Sequence, residues 1–397
     1  METREEQIGV VTVRTKKAVS LESFIFLVAF LGLFCGIGSQ MGAVNMLNTL
    51  MNTAYKLLMN TVLYIMAIAV LAGAISALFS EFGVISLLNK ILSPLMKPLY
   101  GLPGAAAIGV VTTYLSDNPA ILSLAEDREF KRYFKKYQLP ALTNIGTAFG
   151  MGLIITTFMM GLNAPKGESF FGAALIGNLG AVVGSIVSAR LMMHFTKKMY
   201  GKEEYVIPRK AGENDEKITT RQIREGSAAS RVMDAMLTGG KTGVDMGLSI
   251  IPGVLIICTL VMMLTNGAGK GGFTGEAFQG IGLLPAIGAK LDFIFKPLFG
   301  FSSPEAIAVP ITSLGAAGAA IGLVPSLIER GLAHSNDIAV FTAMCMCWSG
   351  YLSTHVAMMD SLHYREATGK AILSHTIGGL CAGIAANWLY QLFFVIL

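Results

Sequence analysis

The pentapeptide Lys97-Pro98-Leu99-Tyr100-Gly101 returns as Lys296-Pro297-Leu298-Phe299-Gly300, and the same register of 199 residues holds without a gap to Met160 and Met359. Across those 64 aligned positions 15 are identical, among them Ala107 and Ala306, Thr113 and Thr312, Leu115 and Leu314, and Thr143 and Thr342. A pentapeptide followed by regular matches in one register marks an internal duplication. In a hydrophobic chain a duplication points to a secondary transporter built from two related halves around a midplane site.

The chain is hydrophobic enough for that reading. Of its 397 residues 53% are hydrophobic and 14% charged, and the mean hydropathy is +0.61. That leaves too little polar surface to coat a soluble body of this size, so the chain reads as an integral membrane protein. The 45 glycines and 22 methionines suit close helix approach and adaptable packing in lipid. All five cysteines (Cys35, Cys258, Cys345, Cys347, Cys381) lie in apolar stretches with no metal-ligand spacing, which predicts buried reduced thiols and no metal site. The formal charge of +5 is spread along the chain, not gathered on one soluble module, so it predicts no nucleic-acid partner. The run from Phe24 to Gly38 lacks a cleavage site and reads as an uncleaved first span.

Seven apolar runs are long enough to cross a bilayer: Ser20 to Gly42, Leu58 to Phe79, Leu139 to Leu162, Phe170 to Phe195, Met246 to Leu264, Ile338 to Met359 and Ala371 to Leu397. Two more, Leu102 to Ala125 and Phe301 to Val324, are interrupted by Ser116-Asp117-Asn118-Pro119 and by Gly315-Ala316-Ala317-Gly318. An interruption there predicts two half-helices and a turn, a re-entrant hairpin, which is tolerated at membrane depth only where protein or a water-filled cavity satisfies the backbone. The expected fold is therefore an all-α polytopic membrane protein of about seven transmembrane helices plus two hairpins, in two inverted-topology repeats. Inversion follows because each copy contributes three crossings, an odd number. With the N-terminus in the cytoplasm, 24 of the 30 Lys and Arg fall inside, as the positive-inside rule asks.

The expected organisation is a cytoplasmic tail over 1–19, a first span and loop over 20–50, repeat one over 51–196, a cytoplasmic linker over 197–230 and repeat two over 231–397. Val84 to Met96 and Leu283 to Phe295 show helical spacing of apolar residues and read as interfacial helices. The glycine-rich Asn266 to Gly272 lacks the full phosphate-loop pattern.

Asp117 is the leading candidate site residue, because a carboxylate near the bilayer centre costs about 2.5–3.5 kcal/mol and must gain something there. Asp117 or Asn118 also suits an N-cap to a half-helix beginning at Pro119, and the free N–H groups of such a terminus can meet an anion. Glu305, after Ser303 and Pro304, has the same helix-start pattern in the second hairpin. Thr113, Ser116, Thr312 and Ser313 stand near the expected tips, where hydroxyls either bond a ligand or bond back to their own helices. In the spans that follow, Asn144 and Thr147 share one side of the first, and Ser349 and Ser353 mark the second. His355 and Asp360 approach the cytoplasmic end, either solvated or as a proton relay. Phe149 and Trp348 occupy matched positions and could flank a planar ring or simply pack.

This order of span, interfacial helix, broken hairpin, span and span, with Leu115-Ser116-Asp117-Asn118-Pro119 and Phe301-Ser302-Ser303-Pro304-Glu305 in the hairpins, resembles the Gate-domain, or nucleoside-recognition, membrane proteins. Those are similar in plan to the concentrative nucleoside transporters. The resemblance implies a small polar ligand, nucleoside-like or another metabolite, held between opposed hairpin tips and the polar faces of the next spans. It also implies alternating access driven by Na⁺ or H⁺ and no resident cofactor. The bacterial cytoplasmic membrane is the expected location, with a homodimer compatible. The first hairpin departs from the nucleoside-transporter pattern in lacking a glutamine-threonine-glutamate cluster. Two rival readings stay open: a non-transporting Gate-family partner protein, and an intramembrane serine hydrolase using Ser349 and His375, which lacks the glycine expected two residues before the serine.

Overall fold

The computed structural model describes residues 17–116, 128–165, 168–208, 223–269 and 271–396, without the side chains of Arg128, Glu129, Ser353 and Val395. Among the described residues the protein is helical, with two isolated bridges and no strand. Six helical stretches among the described residues are long and apolar enough to cross a membrane, one of them, Ala141–Met160, made of two helices end to end. We label the helices α1 Leu21–Met41, α2 Ala43–Glu81, α3 Val84–Leu95, α4 Ala106–Leu115, α5 Ala141–Phe149, α6 Gly152–Met160 and α7 Phe170–Tyr200. The second half continues with α8 Ala228–Thr265, α9 Leu283–Phe299, α10 Ala308–Ser313, α11 Ala317–Glu329, α12 Ser335–Cys347, α13 Tyr351–Ser361 and α14 Arg365–Phe394.

Corresponding spans of the two copies lie against each other in opposite directions. Along α2 and α8, Gly73 meets Gly239, Ala69 meets Gly243 and Met66 meets Gly247, so one index rises as the other falls. Along α7 and α14 the same order holds, with Gly172 at Phe394, Gly180 at Ala386 and Gly184 at Gly378. This is the antiparallel arrangement that an odd number of crossings per copy requires. Small residues make it physically workable: in lipid no hydrophobic drive separates helix–helix from helix–lipid contact, so backbones must approach closely to gain dispersion energy.

The duplication extends to the backbone conformation. Left-handed residues recur at the 199-residue spacing: Gly83 (φ 79°) with Gly282 (φ 64°), Gly101 (φ 73°) with Gly300 (φ 65°), and Met151 (φ 56°) with Gly350 (φ 64°). The first two pairs start and stop α3 with its short continuation, and α9. The last pair interrupts the span after each hairpin. A methionine held in a conformation that favours glycine shows that the chain path at Met151 is set by its surroundings. The carbonyls at the end of each interfacial segment are capped in both copies by different chemistry. Arg190 donates from Nε to the Leu99 carbonyl (2.7 Å) and Gln138 to that of Gly101 (2.9 Å), whereas Asn387 donates to Leu298 (3.1 Å) and Asn336 to Phe299 and Gly300 (both 3.0 Å).

Several expectations are corrected. The span expected over Ile338 to Met359 is two helices, α12 and α13, broken at Trp348–Gly350, and is not among the six candidate spans, whereas the one over Leu139 to Leu162 stands as the candidate span Ala141–Met160 with a break between α5 and α6. No loop precedes Leu58: α2 begins at Ala43, directly after Gly42, and runs through a wide π-helical turn at Leu57–Val62. Cys35 is exposed on the outer face of α1, not buried, while Cys258, Cys345 and Cys347 are buried and all five thiols are free. His355 is fully buried, not solvated. The glycine-rich loop binds α2, with Asn45 donating to the Phe273 carbonyl and Asn52 to that of Gly275. At the other end of α2, Glu81 receives Arg224 and Arg231, each at 2.7 Å, which fastens the linker side of α8 to the first span.

Candidate functional site

The second hairpin is α10 and α11 joined through Leu314–Ala316. Its entry is anchored by Asp337, whose fully buried carboxylate accepts from the Ser302 N–H (3.0 Å), the Ser302 hydroxyl (2.5 Å) and the His334 N–H (2.9 Å). In the first hairpin α4 ends at Leu115, the register partner of Leu314. Asp117 and Asn118 lie outside the described residues.

The hydroxyls expected to face a ligand bond back to their own helices. Thr113 donates to the Gly109 carbonyl (2.7 Å), Ser116 to Thr112 (2.6 Å), Thr147 to Thr143 (2.8 Å), Thr312 to Ala308 (2.7 Å) and Ser313 to Pro310 (2.7 Å). Each acceptor lies three or four residues earlier in the helix, so the hydroxyl is satisfied without a ligand. Glu305 sits half-buried in the first turn of the short Pro304–Ile307 helix, next to its Ser303 cap. Ser349 is 1% exposed at the α12–α13 break, and Ser353 is described only by its backbone in α13.

Asn144 is different, because it reaches across helices. Its Nδ2 donates to Ser188 Oγ on α7 (2.8 Å) and to the Ala371 carbonyl on α14 (3.0 Å), while its Oδ1 is buried with no partner. Ser188 in turn bonds His375 Nδ1 (2.9 Å), and His375 Nε2 bonds the Cys347 carbonyl, at the end of α12. Both ring nitrogens of His375 are thus taken by groups other than Ser349, and Ser188 is wholly buried. Trp348 is also bonded to this cluster, its Nε1 donating to the His375 carbonyl (3.3 Å). Trp348 thus packs and is not a ring-stacking surface.

A second polar group lies beside the first hairpin. Tyr114 donates its hydroxyl to Asn178 Oδ1 (2.9 Å), and Asn178 Nδ2 donates to Thr156 (2.9 Å) and to the Ala174 carbonyl (2.8 Å). The ring of Tyr114 lies so close over Gly152 that a methyl group there would overlap it, so the break at Met151 supplies its seat. Tyr114, Asn178 and Phe149 line a cavity of ≈ 390 Å³ with Val111, Leu115 and Leu153. The sequence reading placed no ligand contact at Tyr114 and left Ser188 and His375 out of the site. The available signal was an ionisable ring within an apolar span, which by itself marks a position worth attention.

No protein-family model matches the chain, and no curated protein matches it. Solved structures do. CNTnw, a concentrative nucleoside transporter, is similar in its inward-facing substrate-bound state, with a TM-score of 0.52 at 14% identity over 94% of this chain and 84% of that one. A doubly substituted CNTnw in an outward-facing state matches to the same extent, and a single variant in an intermediate state matches with a TM-score of 0.50 at 16% identity. The chain shares the fold of these membrane proteins. It is an integral membrane protein.

Proposed function

We propose that this protein is a secondary active transporter that moves a small polar solute across the membrane by alternating access. The observation that carries this reading is the antiparallel pairing of α2 with α8 and of α7 with α14, which sets two like halves in opposite senses around helices interrupted at matched positions. Two such halves can exchange roles, so that the arrangement open to one side is the mirror in topology of the arrangement open to the other. The fold shared with CNTnw, solved in both inward-facing and outward-facing states, supports it.

The ≈ 390 Å³ cavity beside the first hairpin is of the size that holds one small molecule. The lining is almost wholly apolar, and the Tyr114 hydroxyl and Asn178 amide at its edge bond to each other, so a nucleoside-like solute is proposed from the fold shared with CNTnw and not from these groups. Asp117 and Asn118 remain proposed from sequence as the polar contribution of the hairpin tip, with Na⁺ or H⁺ as the coupling ion. The proposed orientation keeps the N-terminus in the cytoplasm of a bacterial cell.

The test is thermal stabilisation of the purified full-length protein by a panel of nucleosides, bases, amino acids, metals and organic anions. Gradient-driven uptake of any stabilising compound into proteoliposomes then follows. Stabilisation by nucleosides with uptake that falls in Asp117→Asn and Asn178→Ala supports the reading. A protein that no member stabilises, and that carries none of them, would overturn it.

A further inference from the structure

The chain has five histidines. His194, His334 and His363 are exposed, whereas His355 and His375 are both 0% exposed and face each other with ring centroids 4.7 Å apart. Such a pair buried inside a membrane body cannot carry two positive charges. It can hold one proton beyond its neutral complement.

Hydrogen-bond partners fix which ring would take it. The Cys347 carbonyl can only accept, so His375 Nε2 carries a hydrogen and Nδ1 accepts from the Ser188 hydroxyl, whose oxygen accepts from Asn144. His375 is saturated as a neutral ring. His355 is not: Nδ1 donates to the Tyr351 carbonyl (2.5 Å), which leaves the lone pair of Nε2 buried with no donor. Asn144 Oδ1, in the same cluster, is also a buried acceptor with no donor. Among the described residues the cluster thus holds two acceptors without a donor, and a proton on His355 Nε2 would turn one of them into a donor.

The titratable and charged groups brought toward the pair by the packed elements do not neutralise it. Tyr351 on α13 lies 6.1 Å from one ring and 6.2 Å from the other, with its hydroxyl on Thr376. Cys345 and Cys347 on α12 and Cys381 on α14 are free thiols, and α5 carries no titratable side chain. On α7, His194 is exposed and Arg190 is spent on backbone carbonyls, while Lys370 of α14 lies over the Phe195 ring. Asp360 is 55% exposed beside Arg365, and Glu366 accepts the Tyr200 hydroxyl. No carboxylate bonds either imidazole among the described residues.

The helix that carries His355 begins at a left-handed glycine, Gly350. α12 is buried along its whole length, and α13, after the left-handed Gly350, has Leu352 (53%) and Val356 (52%) exposed on its other face. We propose that His355 Nε2 is the proton-binding atom of a proton-coupled cycle, taking up one proton on loading and giving it up on release. One N–H bond forms on loading and the same bond breaks on release. The proposal deepens the transporter reading and rests on it.

Two measurements separate the proposal from that reading. Full-length protein with nitrogen-15-labelled histidine is reconstituted in lipid vesicles and its imidazole signals followed from about pH 8 to about pH 5. The two buried rings are recognised by slow hydrogen exchange, and His355 by signal loss in either His355→Asn or His355→Gln. Conversion of His355 to the doubly protonated ring while His375 stays neutral is the expected result. A His355 that stays neutral throughout, in protein still helical by circular dichroism, overturns the proposal. In proteoliposomes, uptake of tritiated uridine driven by a pH gradient and lost in His355→Gln supports it. Uptake that follows a Na⁺ gradient and survives His355→Gln overturns it while leaving the transporter reading intact. Failure of uridine uptake alongside His355 protonation supports the proton site and removes that nucleoside as cargo.

Discussion

Two neighbouring glycines on α8 provide a test of the antiparallel packing that is nearly free of confounding terms. A methyl group added at Gly239 would overlap the Gly73 carbonyl of α2 and lie 2.6 Å from the Ala77 Cβ, both fixed parts of a rigid helix. At Gly240 the same methyl would meet only Val70 Cγ1, at 3.5 Å, an ordinary contact. Both substitutions gain helix propensity, about 0.8–1.0 kcal/mol for Gly→Ala in a helix interior. That gain is common to the two and cancels in the comparison. What remains is the cost of forcing two close-packed backbones apart, about 1–3 kcal/mol for an overpacked site. Gly240→Ala should therefore unfold at a higher denaturant concentration than wild type, and Gly239→Ala should be less stable than Gly240→Ala by about 1–3 kcal/mol. Denaturant unfolding of the purified protein in one detergent, followed by loss of helical circular dichroism, reads the difference. Equal midpoints, or Gly239→Ala the more stable of the two, would refute the packing of α2 on α8 and with it the argument for inverted halves.

Removing the bridge between Asn144 and His375 with Ser188→Ala leaves both partners short of a buried hydrogen bond and should cost about 1–3 kcal/mol in the same assay. Thr147→Val, which deletes a hydroxyl bonded only within its own helix, should cost less than about 1 kcal/mol. Tyr114→Phe should lower stability by about 1 kcal/mol and, if the adjoining cavity holds the solute, weaken thermal stabilisation by that solute; full retention of stabilisation would remove Tyr114 from the site. Glu81→Gln should release Arg224 and Arg231, so limited trypsin digestion should cut the linker several-fold faster, and an unchanged rate would show that the ion pairs do not hold it.

Much of this architecture is legible in the linear chain because lipid narrows the options. Inside a bilayer the backbone must satisfy itself, so apolar length reports helices directly and an interruption reports a break. The register of 199 residues predicted matched elements, and the left-handed turns at Gly83 and Gly282, Gly101 and Gly300, and Met151 and Gly350 follow that register. Glycine appears in five of those six positions, so most of the turns left a trace in residue type. The break at Met151 left none, and both broken spans looked continuous because apolar composition reports burial and not backbone conformation.

The polar chemistry was less legible. Thr113, Ser116, Thr147, Thr312 and Ser313 were rightly seen as hydroxyls within apolar segments, but whether a hydroxyl turns to a ligand or to the carbonyl a turn earlier is a choice of one side-chain torsion. Pattern carries no information on it. Asn144 was singled out, yet its partners Ser188 and Ala371 stand 44 and 227 residues further along, on spans brought together only by packing. The all-helical membrane fold and its two-copy order were thus inherent in hydrophobic runs and in a repeated text, since local burial and backbone hydrogen bonding act within a few residues of each position, whereas the number and length of the helices were not. Tertiary packing alone selected which lone polar atoms share a dry interior, because hydrogen bonds between distant helices depend on distances of a few ångströms that no local pattern encodes.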